Sequence, residues 1–292
     1  MKRETVAGVA TVKLLCVTFG VSRQAYYAAK KAPAPASNVV RLPLRPDVAP
    51  AAKVLEKIQL IIGENLAWGV RKVWATLRRE HELKVSKKRV WAIMKANGLV
   101  LARDSEPGEP TRGHVAVPAP NRRLAADFTT VWTKLDGVVA VVPTIDCGCR
   151  SVLGMVVTKD QQAPAILGSI EQALAETFGQ PSAVPLDLEL RSDHGPQYTG
   201  ADCEALVQRW GLEHTFAPVG RPTGNAVVER FIRTMKEEVI WLRDWSTAAE
   251  LREAINAWLA KYHTRRAHQS LGWQTPAEYR AAHLSKRVAQ AA

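Results

Sequence analysis

Apolar residues recur at helical spacing along roughly the first hundred positions of the chain. In residues 5–31 they stand three or four positions apart, pause at Gly20, and resume after Ser22, which is placed to cap a second helix. The pattern predicts two helices joined by a glycine-containing turn, which is the outline of a helix-turn-helix. Any small helical hairpin has the same outline.

Three further helices are predicted over about 51–63, 69–81 and 86–97. Ser86 is placed to cap the third helix and Gly98 to end it. The spacing turns four of its apolar side chains toward a core: Val90, Trp91, Ile93 and Met94. Its basic side chains face solvent: Lys87, Lys88, Arg89 and Lys95. Such residues make phosphate and groove contacts in helix-turn-helix modules, but a solvated basic face on a helical bundle fits the pattern too.

From Asn121 the apolar spacing changes from helical to strand-like. Three consecutive strands are followed by a helix, a strand, a helix, a short strand and a long helix that begins near Asn225. The second and third strands are apolar on both faces, as central strands covered by helices are. The fourth strand stops at Asp193 and alternates, with Leu186 and Leu188 facing inward. This order predicts an α/β domain with a mixed sheet.

Proline, glycine and charge mark the boundaries between these regions. The predicted organisation is an N-terminal helix-turn-helix-like segment (1–32), a proline-rich linker (33–50), a helix-turn-helix domain (51–101), a second linker (102–121), an α/β core (122–245) and a C-terminal helical part (246–292).

The net charge of +12 is unevenly distributed along the chain. Residues 1–123 hold 23 Lys and Arg against 9 Asp and Glu, whereas residues 124–292 hold 17 against 19. A basic nucleic-acid-binding region followed by a near-neutral catalytic region explains this distribution, and so does a surface charge that serves only solubility.

Two classes of protein are disfavoured by the composition. No stretch approaches the roughly 18 apolar residues of a membrane span, and Glu4 and Lys13 interrupt the N-terminus, so we expect neither a span nor a signal peptide. The cysteines suit neither a disulfide framework nor a C-x-x-C zinc site, which favours buried thiols in a reducing cytoplasm: Cys16, Cys147, Cys149 and Cys203.

Three acidic residues are candidates for a metal site. Asp127 lies in the first predicted strand, Asp193 ends the fourth, and Glu229 lies on the long helix that follows. Two-metal phosphodiester chemistry needs carboxylates gathered from separate elements, and these three elements could meet at one sheet edge. The bland alternatives are a turn residue for Asp193 and a surface ion pair for Glu229.

The sequence around these acids resembles the OrfB-type transposases of insertion sequences, the IS-three family within the retroviral-integrase superfamily. Three segments resemble the family's catalytic blocks: LAADFTTVW, RSDHGPQYTG and GRPTGNAVVERFIRTMKEE. Three more resemble its helix-turn-helix segment and its C-terminal block: AWGVRKVWATLRRE, SKKRVWAIMKANGLV and YHTRRAHQSLGWQTPAEY. The resemblance covers nearly the whole chain, and the blocks occur in the family's order.

This resemblance implies a ribonuclease-H-like core with a mixed five-stranded sheet and helices, preceded by all-α helix-turn-helix segments. It implies that Asp127, Asp193 and Glu229 are the catalytic residues and hold two Mg²⁺ ions, for which Mn²⁺ substitutes. It also implies 3′-end cleavage of the element's DNA followed by strand transfer. Asn225 is expected to cap the helix that carries Glu229.

Contacts with DNA are expected from further basic residues. Arg71 lies in the family-like helix-turn-helix segment. Arg233 and Lys236 follow Glu229 by one and two turns, on nearly the same helix face, where phosphate contacts and ion pairs with neighbouring glutamates are equally compatible. Arg265 and Arg266, with His268, are expected to line the DNA path, and His194 stands beside the metal ligands.

The implied partners are double-stranded DNA, as terminal inverted repeats and target, and an OrfA protein as partner or fusion. Assembly into an oligomer on DNA, no contact with a membrane, and a cytoplasmic, nucleoid-associated location are expected. The alternative function is a DNA-binding regulator with an inactive integrase fold, in which at least one acid cannot reach the others. A nuclease of this fold without strand joining is a second alternative.

Overall fold

The computed structural model describes residues 5–6, 10–30, 49–101, 117–218 and 225–291. The chain divides into two compact units, Met1–Val48 and Ala49–Ala292. Most of both predicted linkers, 33–48 and 102–116, lies outside the described residues, and so does the loop 219–224.

The first unit contains a small ladder as well as helices. Strands β1 (Thr5–Val6) and β2 (Ala10–Thr11) pair antiparallel, and the helices are α1 (Val12–Thr18) and α2 (Arg23–Lys30). The helical spacing predicted from residue 5 was therefore wrong before Val12, where Thr and Val residues favour the extended ladder. Gly20, with φ +64°, makes the predicted turn between the two helices.

Three helices open the second unit, α3 (Ala51–Glu64), α4 (Val70–Arg79) and α5 (Lys87–Ala96). The Ser86 side chain accepts a hydrogen bond from the Arg89 N–H, as the cap prediction requires. Trp91, predicted to face the core, is 48% exposed. Val90 and Met94 fill the inward stripe, and Trp91 turns about 100° away from Val90.

A mixed sheet forms the centre of the second unit. Its strands are β3 (Arg123–Ala126), β4 (Thr129–Thr133), β5 (Gly137–Asp146), β6 (Val152–Thr158), β7 (Glu189–Ser192) and β8 (Glu213–Phe216). Across the sheet, β6 pairs with β5, β5 pairs with both β4 and β3, β3 pairs with β7, and β7 pairs with β8. The pairs β3–β7 and β7–β8 are parallel and the others are antiparallel.

Strands β3 and β4 occupy one position in the sheet, where a single strand was predicted. Ala126 pairs with Thr144 and Thr129 pairs with Val141, so the register is the same on both sides of the break. That register places Asp127 opposite Pro143. Proline has no N–H to donate to a neighbouring strand, and this explains why the ladder is interrupted there.

Helices cover both faces of the sheet. The helices of this part are α6 (Ala163–Phe178), α7 (Pro196–Thr199), α8 (Ala201–Trp210), α9 (Ala226–Glu238), α10 (Ala248–Thr264) and α11 (Pro276–Ala291). One apolar cluster joins the sheet to α9 and α10, and a second joins its other face to α6 and α8. Short 3₁₀ turns lie at Pro181–Ala183, Ile240–Leu242 and Gln269–Leu271.

The α/β fold class, with a ribonuclease-H-like core preceded by helical segments, is confirmed by this order and pairing of elements. The fourth strand is shorter than predicted, because β7 begins only at Glu189. Leu186 is 97% exposed instead of facing inward, whereas Leu188 is fully buried. Among the described helices, none is long and apolar enough to cross a membrane.

Candidate active site

The three candidate acids come from two neighbouring strands and from a helix that packs on the sheet. Asp127 follows the last residue of β3, and Asp193 follows the last residue of β7. Because β3 and β7 are neighbouring parallel strands, their carboxyl ends meet at one edge of the sheet. Glu229 lies in the first turn of α9, which packs against this sheet.

Burial raises the pKa of two of these acids, and neighbouring charges add to the shift at Asp127. The pKa of Asp127 is raised to about 6, chiefly by burial and also by the carboxylates of Asp193 and Glu229, against a hydrogen bond from the Phe128 N–H and the charge of Lys236. Burial also raises the pKa of Glu229. The charges of Asp193 and Glu229 therefore both act on Asp127, as expected if the three acids belong to one site.

An open cleft of about 380 Å³ runs along part of the site. Asp127 and Glu229 line it together with Arg233 and Lys236. The Asp193 carboxylate lies outside this lining and accepts a hydrogen bond of 2.9 Å from the Gly195 N–H. Within the described residues, no three His, Cys, Asp or Glu side chains are already arranged so that they could hold a metal ion. Gathering the three acids around a cation therefore requires side-chain movement.

Asn225 connects two of the elements that carry the acids. It occupies the N-cap position of α9, as predicted, but its side chain makes no capping hydrogen bond. Its amide nitrogen instead donates to the carbonyl oxygen of Ala126 at 3.1 Å, and its Oδ1 is buried without a partner in the described structure. The residue therefore fixes the start of α9 to the end of β3, one position before Asp127.

Tyr198 is a buried neighbour of the site that the sequence patterns did not single out. Its side chain is 1% exposed, and its hydroxyl has no hydrogen-bond partner among the described residues. Burial raises its pKa above the ordinary value, and Asp127 and Asp193 act in the same direction. Its place in the Asp-x-Gly-Pro-Gln-Tyr run is the only sequence signal that points to it. His194 stacks on Phe216 with ring centroids 4.8 Å apart.

The basic residues of the helical bundle do not form one group. Lys87, Lys88 and Lys95 are exposed on α5, and Arg89 donates to the Ala49 carbonyl at 2.7 Å. Arg71 is exposed on α4 and donates to the Gln269 side chain at 3.2 Å. These side chains lie far along the chain from the acids, and none of them lines the acidic cleft.

Three of the remaining basic candidates are engaged within the chain, whereas Lys236 lines the acidic cleft. Arg233 pairs with Glu237 at 2.8 Å, which is one of the two interactions anticipated for it. Arg265 pairs with Glu64 and Glu80 on the bundle. Arg266, expected along the DNA path, is only 8% exposed. Its partner is Glu238, at 3.1 Å.

The cysteine pair Cys147 and Cys149 is buried, as expected for core thiols. Burial raises the pKa of Cys147 to about 12, so it is a neutral thiol at physiological pH.

Comparison with known families gives three matches along the chain. Models described as "Integrase core domain" match residues 117–222 and 210–276, and a model described as "HTH-like domain" matches residues 51–104. The chain is also similar to curated proteins. The transposase InsD for insertion element IS2A/D/F/H/I/K of Escherichia coli is 31% identical over 242 residues, which cover 77% of each chain. InsD for insertion element IS2H of E. coli K12 has the same identity and coverage.

The solved structures that the chain is similar to include two integrase catalytic cores. The catalytic core of BIV integrase is 21% identical, with a TM-score of 0.43, over 59% of this chain and 99% of that one. The HTLV-2 integrase catalytic core in complex with magnesium is 15% identical, with a TM-score of 0.39, over 56% and 97%. These low TM-scores give the likenesses no weight of their own, and the fold assignment rests on the strand order and the family models.

Proposed function

Because this chain belongs to the OrfB-type transposases of insertion elements, the IS-three family, we propose that it cuts the 3′ ends of its element and joins them to DNA through Asp127, Asp193 and Glu229. Membership in the family makes it a polynucleotidyl transferase. The observation that carries the proposal is the position of the three carboxylates at one sheet edge, where burial and the charges of Asp193 and Glu229 raise the pKa of Asp127 to about 6.

The donor set suits magnesium. Three carboxylates supply only oxygen ligands, which Mg²⁺ and Mn²⁺ prefer, and a cation would offset the repulsion that these acids exert on one another. Asp127, Asp193 and Glu229 would hold two ions after the Asp193 side chain leaves the Gly195 N–H. When bound, such ions activate the attacking oxygen and stabilise the leaving 3′ oxygen.

Residues around the acids would position the DNA strand. Asn225 holds α9 against β3, and this sets the separation of Glu229 from Asp127. Arg233 and Lys236 line the same cleft as those two acids, so their charges are placed to receive the phosphates on either side of the scissile bond.

The regulator alternative also has one observation in its favour. In the described part of the chain the acids are not collected into a ready-made metal site, as an inactive integrase fold would show. The proposal also includes double-stranded terminal repeats and target DNA as substrates, an OrfA partner and assembly on DNA. These belong to it in either case, since both alternatives bind DNA.

The deciding experiment compares the wild type with Glu229→Gln on oligonucleotides from the ends of the parent element, with OrfA present and with Mg²⁺. The substitution keeps the size of the side chain and removes the ligand charge. We expect cleavage and joining to fall by about a thousandfold or more, while DNA binding is retained. The matched control is Glu253→Gln, an exposed glutamate on α10, which is expected to cut normally.

Three other outcomes are informative. Equal cutting by the wild type and Glu229→Gln would remove Glu229 from the mechanism. Binding without cutting by the wild type would favour the regulator. Cutting without joined products would favour the nuclease.

A further inference from the structure

A second cavity lies on the other side of α9 from the acidic cleft. It has a volume of about 400 Å³ and is bordered by five cationic side chains and by no Asp or Glu among the described residues. The five come from four regions of the chain: Arg71 and Lys72 at the start of α4, Arg150 in the turn after β5, Arg230 on α9, and Arg266 after α10. We call this cavity the basic pocket.

Burial and mutual repulsion both act on the cations of the basic pocket. Burial lowers the pKa of Lys72 to about 8, and the charges of Arg266 and Arg230 lower it as well, although Glu238 opposes them. Burial lowers the pKa of His268, on the same wall, to about 2, and Arg266, Lys72 and Arg150 contribute. The positive potential inside the pocket is therefore high.

Glu238 compensates only part of this charge. Its carboxylate lies 2.6 Å from the Lys72 ammonium and 3.1 Å from the Arg266 guanidinium, and its side chain is 7% exposed. Arg150 and Arg230 have no ion pair among the described residues, and Arg71 is bound only to the neutral Gln269. Three guanidinium groups around one cavity are thus left without an acidic partner in the described structure.

The turn that presents Arg150 is held rigidly. Arg150 has a φ of +62°, in the left-handed region that side chains other than glycine rarely adopt. The buried Asp146 carboxylate accepts hydrogen bonds from the Gly148 N–H at 2.8 Å and the Cys149 N–H at 3.2 Å, and the Asp146 carbonyl accepts one from the Arg150 N–H at 2.8 Å. The fold therefore keeps this cation at the pocket wall in an uncommon backbone conformation.

We propose that the basic pocket binds a phosphate group of the DNA backbone. Several guanidinium groups converging on one cavity match the oxygens of a phosphate, with which each can form paired hydrogen bonds. Glu229 and Arg230 are consecutive residues of α9, and helix geometry places the acidic cleft and the basic pocket on opposite sides of that helix. The bound phosphate therefore lies about one helix diameter from the acids. This inference rests on the proposed function, because it takes transposon DNA as the ligand.

The surroundings of the pocket favour a polymer over a free phosphate ion. Arg71 and Arg230 are exposed at its mouth, so a continuous backbone can enter and leave. Arg71 and Lys72 also belong to the helix-turn-helix-like domain, whereas Arg150, Arg230 and Arg266 belong to the integrase region. A phosphate in this position is held by both regions at once.

The test measures the salt dependence of binding to a labelled duplex of the element end, in buffer with EDTA, so that no cleavage is needed. The full-length double variant Arg150→Gln/Arg230→Gln is compared with wild type. We expect the slope of log affinity against log salt to become less steep by about 1, with affinity about tenfold weaker at moderate salt. Arg150→Lys/Arg230→Lys keeps the charge and should retain the wild-type slope.

A matched control removes two charges elsewhere. Lys159→Gln/Arg209→Gln changes two exposed cations outside the basic pocket and should leave the slope unchanged. An equal slope for the wild type and the Arg150/Arg230 glutamine variant would overturn the proposal, and so would an equal loss in the control. Circular dichroism identifies any variant that fails to fold. If the glutamine variant does not fold, the lysine variant decides the outcome, because a slope less steep than that of wild type would exclude a charge contact.

Two further results distinguish a DNA-phosphate site from a free-phosphate site, and the pocket from the catalytic cleft. If inorganic phosphate stabilises the wild type, but not the glutamine variant, at millimolar concentration while the DNA slopes agree, the pocket takes a free phosphate and the DNA proposal is wrong. If the glutamine variant shows the expected slope change but the wild type does not cut DNA with Mg²⁺ and OrfA, the proposed catalysis is refuted and the pocket proposal stands. No DNA binding by the wild type would overturn both.

Discussion

The two sides of helix α9 gather charges of opposite sign. On one side Glu229 lies near Asp127 and Asp193, and the pKa of Asp127 is raised. On the other side Arg230 lies near Lys72, and the pKa of Lys72 is lowered. On each side burial, with a smaller contribution from neighbouring like charges, disfavours the ionised form, and a ligand of opposite sign would favour it. Burial of these ionisable groups costs folding free energy on both sides of α9, on the side that suits cations and on the side that suits phosphate.

The largest effect on the free energy of unfolding is expected from Glu238→Gln, on the basic side of α9. The substitution leaves Lys72 and Arg266 without their buried counter-charge, and it weakens the acceptor of the Trp258 indole N–H, now at 3.1 Å. We expect the free energy of unfolding to fall by about 3 kcal/mol, as when one partner of a buried ion pair is removed. Urea unfolding followed by tryptophan fluorescence measures it.

The control for this substitution is Glu278→Gln. Glu278 pairs with Arg79 at 2.6 Å, but its side chain is 47% exposed, so the loss is expected to stay below about 1 kcal/mol. Equal losses for the two variants would mean that Glu238 does not offset the charge of the basic side.

The second effect has the opposite sign and is expected on the acidic side. Asp127→Asn removes a half-buried carboxyl whose pKa is raised from 3.8 to about 6. A raised pKa means that the folded state favours the protonated acid, so the wild type loses stability as pH rises from about 4 through 6. In metal-free buffer at pH 7 we expect the variant to be about 2 kcal/mol more stable than wild type, and inactive.

Thermal unfolding with a chelator, repeated from pH 4 to pH 7, checks this prediction. The advantage of Asp127→Asn should shrink steadily from pH 7 to pH 4, because the folded carboxyl becomes protonated below its raised pKa and the unfolded one, with a pKa of 3.8, is only partly ionised near pH 4. An advantage that does not change with pH would show that like-charge repulsion and burial of this carboxylate are not its cause.

The smallest effect on stability is expected from Asn225→Ala, which cuts the link between β3 and α9. Loss of its hydrogen bond to Ala126 should cost about 1 kcal/mol, because one buried hydrogen bond is removed. Cleavage should fall about tenfold or more, since Glu229 is no longer held in place relative to Asp127. Single-turnover cleavage and urea unfolding on the same preparation measure both quantities.

Asn65→Ala is the matched control for this link. Asn65 also donates its side-chain amide to a backbone carbonyl, that of Ile61, but at the end of α3. It should lose similar stability and keep the wild-type cleavage rate. A parallel loss of cleavage in both variants would make Asn225 a purely structural residue.

Much of the fold could be predicted from local patterns. The change from helical to alternating apolar spacing near Asn121 marks the start of the sheet region, and Ser86 caps α5 as its position suggests. Trp91 shows the limit of this reasoning, since apolar spacing alone does not decide which of two adjacent residues reaches the core. Leu186 shows a second limit, because a period of two was extended through residues that form a turn.

The site was predictable only in part, because its partners come from distant sequence. Arg265 and Arg266 were expected beside DNA, yet their acidic partners lie as far away as Glu64 and Glu80. Arg150 and Arg230 were not singled out, because their meeting depends on tertiary structure. The break beside Asp127 did have a local signal, a proline inside an otherwise apolar strand.

Pro143 leaves the chain at Asp127 without a ladder hydrogen bond from the neighbouring strand. Strands β3 and β4 are anchored at fixed register, and between them the residue that bears the carboxylate faces a position with no N–H. Asp127 and Phe128 therefore form a short unpaired segment between two paired strands. We expect the Asp127 peptide, which receives no ladder hydrogen bond from Pro143, to adjust to a ligand without breaking the pairing of β3 or β4 with β5.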